Sequence, residues 1–173
     1  QWNIERIKRH IATDNVVDFI LGRLRKLSPT TQHVLRVAAC IGHQFDTNTL
    51  AVVADAALHA LHEALWEALQ AGLLVPLDAN YRYAIASGQS DGVLLNANYR
   101  FLHDRVQQAA YELIPEADRG AVHLSLGRTL LEASPAEPRD KALFEIVDHM
   151  NRGRRLIVPG PEVRRLAELN LAA

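Results

Sequence analysis

The apolar periodicity of this chain changes at Gly72, and that change limits the folds open to it. Up to Leu69, apolar residues recur at helical spacing. From Leu73 to about His103 they fall in short runs, "LLVPLD", "YRYAIA" and "NANYRFLH", of which the second alternates. From His103 onward the spacing is helical again. A fold of this pattern holds a few short strands between two blocks of helices. With 49% hydrophobic residues and only 6% aromatic, its core is made of Leu, Ala, Val and Ile, which favours helices.

The helices carry their own punctuation. "TDNVVDFILGRLRKL" has Thr13 or Asp14 as cap, with Val16, Val17, Ile20, Leu21, Leu24 and Leu27 at helical spacing. In "SPTTQHVLRVAACIG", Ser28 caps, Pro29 suits the first helical position and Gly42 stops. Its middle is apolar on most sides, which predicts a central, buried helix. "FDTNTLAVVADA" starts at an Asp46 cap. "LHALHEALWEALQAGLL" places Leu58, Leu61, Leu65 and Leu69 on one face, with Trp66 beside them. The polar "SGQSDG" reads as the tip of a hairpin. Beyond it, "HDRVQQAAYELI", "PEADRGAVHLSLGRTLLEA", "DKALFEIVDHMNRG" and "PGPEVRRLAELNLAA" read as four helices. Ala121, Ser125 and Gly127 are small enough for close packing. The predicted fold class is mainly α: a winged helix (three-helix core plus β-hairpin wing), then helical hairpins starting a TPR-like solenoid. A plain helical appendix is the alternative for the last part.

Much chemistry is excluded. Nineteen Lys and Arg against twenty Asp and Glu leave a formal charge of −1, so nothing global attracts nucleic acid or an acidic membrane. No apolar run reaches the ~18 residues of a membrane span. The one cysteine, Cys40, suits a reducing compartment and a core position, and a cytoplasmic location is expected. Gln1-Trp2-Asn3 reads as the interior of a longer chain. There is no phosphate-cradling glycine loop, no nucleophile elbow and no Cys-x-x-Cys. His59 and His62 lie three apart on one helix, but no further ligand pair accompanies them, and they read as surface residues rather than a metal site. No catalytic residue, metal or cofactor is therefore expected in these residues. DNA is not expected either. The helix before the wing holds Glu63 and Glu67 and no Lys or Arg, whereas DNA affinity comes mainly from cations on phosphates.

One polar joint remains. In "FLHDRVQQAAYELI" a strand runs into a helix with His103, Asp104 and Arg105 at the junction. A histidine N–H at a helix start can donate to a phosphate oxygen, Asp104 can cap, and Arg105 can reach an anion or pair with a carboxylate. The structural alternative packs His103 under the wing, with Asp104 as cap and Arg105 solvated. Val106, Ala109, Ala110 and Leu113 form an apolar stripe. Gln107 and Gln108 are expected to face water or a partner, and Tyr111 the core.

Three stretches carry a resemblance: "TDNVVDFILGRLRKLSPTTQHVLRVAACIGHQFD", "LHEALWEALQAGLLVPL" and "YRFLHDRVQQAAYELIPEADRGAVHLSLGRTLL". Together they resemble the region after the nucleotide-binding core of large bacterial multi-sensor signalling kinases. Those proteins join a Ser/Thr kinase, an AAA-like ATPase of the STAND class, helical repeats, a GAF sensor and often a histidine kinase. The segment 78–96 matches least. The resemblance implies that residues 1–27 end the ATPase helical lid, 28–103 form the winged helix, and 104–173 begin the repeats. It also implies an upstream core binding ATP or ADP with Mg, and a downstream sensor or kinase output. Other proteins can bind at the repeats. In STAND switches a Met-His-Asp motif at this joint contacts the β-phosphate of ADP. Leu102-His103-Asp104 stands at the comparable place, with Leu for Met, making His103, Asp104 and Arg105 the candidate nucleotide-sensing residues. The expected function is a regulatory, non-catalytic segment of an ATP-binding signalling protein in two-component or kinase signalling. An interaction scaffold with a degenerate winged helix is the alternative. A transcription regulator of the helical-repeat ATPase type is a third, though such proteins usually keep their DNA-binding domain elsewhere.

Overall fold

The computed structural model describes residues 17–81, 96–134 and 140–173. The Thr13 or Asp14 cap, most of the strand read in "YRYAIA" and the "SGQSDG" loop lie outside the described residues. Helix α1 covers residues 17–24. There follow α2 (Pro29–Ile41), β1 (Gln44–Asp46), α3 (Thr47–Ala54), α4 (Leu58–Gln70), β2 (Leu74–Pro76), β3 (Asn98–Phe101) and α5 (Asp104–Glu112). Then come α6 (Glu116–Ala133), α7 (Asp140–Arg152), a 3-10 turn (Arg154–Leu156) and α8 (Pro161–Ala172). The described residues are mainly helical, with a small three-stranded sheet. It divides into two compact units, the first running to Leu113 and the second starting at Ile114.

In the first unit α2 is the central element. Thr31, Val34, Leu35, Val37, Ala38, Ala39 and Cys40 are all buried. α3, α4 and α5 pack around α2. Ser28 caps α2 as its sequence implies, accepting from Thr31 N at 3.2 Å. A second group completes that end. Glu67 of α4 accepts from Ser28 N (3.1 Å), Ser28 Oγ (2.8 Å) and the Thr31 hydroxyl. A carboxylate there meets unsatisfied N–H groups and the positive end of the helix dipole.

Gly72, where the periodicity changes, ends α4 in a left-handed turn (φ +65°). Gly72 N donates to Leu69 O and Leu73 N to Ala68 O, the paired bonds of a Schellman motif. The buried face of α4 is Leu61, Ala64, Leu65 and Ala68. Leu58 and Trp66 sit at its exposed margin instead.

The sheet has three antiparallel strands in the order β1-β3-β2. β1 was not anticipated: three residues are too short for an alternating pattern to register. Phe45 pairs with Tyr99 across β1 and β3. Phe45 also stacks on Tyr99 and tilts against Phe101, with centroids 6.0 and 5.7 Å apart. Asp46 caps α3 through Thr49 N and Thr49 Oγ1, at 3.0 and 2.7 Å. Asn80 and Tyr81 take helical rather than extended geometry. Asp78 accepts from Asn80 N there, and also from both Asn98 N and Asn98 Nδ2.

In the second unit, Leu124, Leu143, Ile146, Val147, Met150, Ile157, Leu166 and Leu169 form the core. α6 and α7 approach closely at two glycines. A Cβ on Gly127 would lie 2.7 Å from Met150 Cγ, and one on Gly153 would lie 2.5 Å from both Gly120 O and Leu124 Cβ. Of the three small residues expected to allow this, only Gly127 does so; Ala121 and Ser125 face solvent.

Two predictions follow from these contacts. Gly127→Ala and Gly153→Ala each destabilise the second unit by about 1–3 kcal/mol through overpacking. Gly22→Ala, where nothing lies within 4 Å, stabilises the first by about 0.5–1 kcal/mol. Urea unfolding of each variant measures both. Separately, the Thr31 and Ser28 hydrogen bonds hold the Glu67 carboxyl below its ordinary range. Its stabilisation is full above the ordinary carboxylate range and is lost as pH falls through the lowered folded value. Glu67→Ala costs about 1–2 kcal/mol at neutral pH and less in acid, a difference that denaturation at the two pH values reads directly.

Candidate functional site

The end of β3 is held from both sides. Phe101 N donates to His43 O at 3.0 Å, and Leu102 N to Leu73 O at 2.9 Å. Phe101 is fully buried while Leu102 turns partly out. The chain then leaves the sheet, and His103 takes the N-cap position of α5 in extended geometry (φ −147°, ψ 154°) with no side-chain cap bond. His103 O accepts from Val106 N at 2.9 Å, while Asp104 and Arg105 N–H carry no backbone bond of this kind.

His103, Asp104 and Arg105 are all exposed. The reading in which His103 packs under the wing therefore does not hold. Asp104 does not cap α5 either; it stands in the first turn. Its Oδ1 lies 3.2 Å from Nδ1 of His43, in ion-pair range. The approach lacks hydrogen-bond alignment, so His43 Nδ1 stays buried without a bonded partner. Arg105 donates to Gln108 Oε1 at 2.8 Å, and Gln108 passes a bond on to Glu112. The structure thus brings His103 and Asp104 to one exposed helix start and adds His43. The sequence reading missed His43 because it stands 61 residues from Asp104; its one signal was its place after the Gly42 helix stop.

Gln107 also departs from expectation. It is half-buried, and its Nε2 donates to Ala39 O of α2 at 3.1 Å. That bond and the buried Val106, Ala109 and Ala110 anchor α5 to α2. α5 is therefore anchored on α2, and His103, Asp104 and Arg105 project from its exposed start.

The second unit holds another polar pair. His123 of α6 and His149 of α7 are buried, with their rings stacked 5.2 Å apart. Their Nδ1 atoms lie 3.0 Å from each other. Burial pushes both pKa values down, His123 to about 4. One ring must donate and the other accept; burial favours the neutral rings at neutral pH, and these then carry opposite tautomers. Elsewhere, His59 lies 3.9 Å from Glu63 on the surface of α4. His62 is half-buried, and that burial lowers its pKa. No group of three or more metal-ligating side chains occurs among the described residues. No described helix is long and apolar enough to cross a membrane.

No protein-family model matches the chain, and no solved structure matches it significantly. The chain is 29% identical over 207 residues to hybrid signal transduction histidine kinase G of Dictyostelium discoideum. The match covers 99% of this chain but only 6% of that protein. The chain thus corresponds to a small part of a much longer relative.

Because His103 is exposed and Gln107 is anchored to α2, the two contribute differently to stability. His103→Ala changes stability by no more than about 0.5 kcal/mol. Gln107→Ala, which strands a carbonyl of α2, costs about 1–2 kcal/mol. Chemical denaturation of the two variants side by side checks this contrast.

Proposed function

We propose that this chain is a regulatory, non-catalytic segment of a larger signalling protein, and that it reports the nucleotide state of an upstream ATPase core. The likeness to a hybrid histidine kinase over nearly the whole chain supports the signalling context. The order α2, β1, α3, α4, β2, β3, with the last strand central in the sheet, supports reading the first unit as a winged helix. The packing of α6 on α7 and of α7 on α8 supports a TPR-like beginning of helical repeats.

The observation that carries the nucleotide reading is the open start of α5. His103 sits at its N-cap without bonding its own helix, and the carboxylate that could cap it leans toward His43. An anion brought there by a neighbouring domain meets free backbone N–H groups, a helix dipole and an imidazole donor. In this mechanism, ADP in the core holds the winged helix docked through His103. ATP with Mg releases it, and the difference in contact between the two nucleotide states drives the shift. The partners are the upstream ATPase core and a downstream sensor or kinase of the same cytoplasmic chain. DNA is not a partner: the outward face of α4 presents His59, Glu63 and Trp66, with no Lys or Arg. A pure interaction scaffold is the second reading, favoured by Phe144 and Leu171, which are 58% and 89% exposed on the second unit.

In the full-length protein, His103→Ala weakens ADP retention and raises basal signalling, while the variant folds normally. Unchanged ADP affinity together with unchanged output overturns the nucleotide reading in favour of the scaffold. In a mobility-shift assay at micromolar protein, no salt-sensitive binding to duplex DNA is expected.

A further inference from the structure

The buried pair of histidines in the second unit has no part in the nucleotide reading. Their rings meet beside the close approach of α6 and α7 at Gly127. Gly127 abuts Met150 and His149 on one side, and Gly153 abuts Gly120 and Leu124 on the other. Both rings are buried in this contact, and close packing opposes their swinging out while the helices stay together. We propose that the His123–His149 pair is a proton-operated clasp, holding α6 against α7 while both rings are neutral and releasing them when the pair takes up protons.

The chemistry of two imidazoles sharing one N–H···N bond makes the release steep. Both Nδ1 atoms are engaged, so the first added proton enters at Nε2 of the donor ring and buries a charge. The second puts an N–H on each Nδ1, and two donors then face each other at a separation of 3.0 Å. The singly protonated pair keeps its bond at the cost of a buried charge, and the doubly protonated pair loses the bond as well.

The surrounding charges do not cancel this. On α7, Asp148 and Glu145 favour protonation of His149 and Arg152 opposes it, and Arg152 is itself bonded to Asp148 at 2.9 Å. Arg152 also opposes protonation of His123, against Asp148. On α6, Arg119 lies one turn before His123 and donates to Ile114 O, while Arg128 is paired with Glu162 of α8. α8 also carries Arg164, Arg165 and Glu168, the last two paired with each other. Arg154 and Arg155 of the 3-10 turn are exposed. Burial is the largest influence on both rings.

The sign follows from linkage. A histidine whose folded pKa lies below its unfolded value destabilises the fold as pH drops through the unfolded value, until the folded value is reached. For His123 that window runs from 6.5 down to about 4. At about pH 5 the opening constant rises roughly thirtyfold from this one ring.

The test is amide hydrogen exchange by mass spectrometry on the whole chain at about pH 7.5 and about pH 5, corrected for intrinsic exchange. Wild-type α6 and α7 should open roughly thirtyfold more at the lower pH, and His123→Leu/His149→Leu should open equally at both. Equal wild-type protection at the two pH values overturns the proposal, as does a double variant that loses protection as the wild type does. Should the double variant fail to fold, ring-nitrogen NMR of the wild type decides. Protonation of the pair that coincides with loss of helix protection supports the clasp, and protonation with both helices intact overturns it.

Discussion

The burial of α2 on nearly every side is the constraint on which the first unit depends. A helix apolar on most sides has little face to give to water, so other elements must enclose it. α3, α4, α5 and the edge of the sheet supply that enclosure. Each polar group at its ends must then be met by a partner from elsewhere in the chain. Glu67 meets the N-terminal donors, Gln107 meets Ala39 O, and Gly42 turns the chain into β1. The position of His43 beside Asp104 is a consequence: it stands where α2 ends and the first strand begins. The candidate site is thus an outgrowth of how one helix is enclosed.

Glu67 shows how a correct local reading can miss a role. Taken along α4 alone, it is one of two acidic residues on a helix without cations, which counts against DNA. In space its carboxylate closes the start of α2, which leaves Glu63, beside His59, as the acidic group of α4 that faces outward. The bond joins residues 39 apart in sequence, and no periodicity connects a glutamate in the third turn of one helix with a serine at the start of another. Gln107 was misread in the same way. A glutamine on a polar-looking helix face is half-buried because the α2 carbonyl it meets belongs to another segment.

The second unit is held differently. Its helices are close because two glycines remove the side chains that would hold them apart, and a buried polar pair sits within that contact. Low-dielectric surroundings make the pair sensitive to any change in its protons. The result is an interface that tolerates little change of volume and little change of charge.

Residue pattern alone determined most of the helices, the Ser28, Asp46 and Gly72 signals at their ends, the central burial of α2 and the strand–helix joint at His103. These depend on neighbours within a turn or two, whose spacing and capping chemistry a linear chain displays. Tertiary structure decided the three-residue strand β1 and the placing of Glu67 on Ser28. It also decided the exposure of His103, the approach of Asp104 to His43 and the meeting of His123 with His149. Each of these joins groups well separated along the chain, and their energy exists only once the core has drawn the elements together.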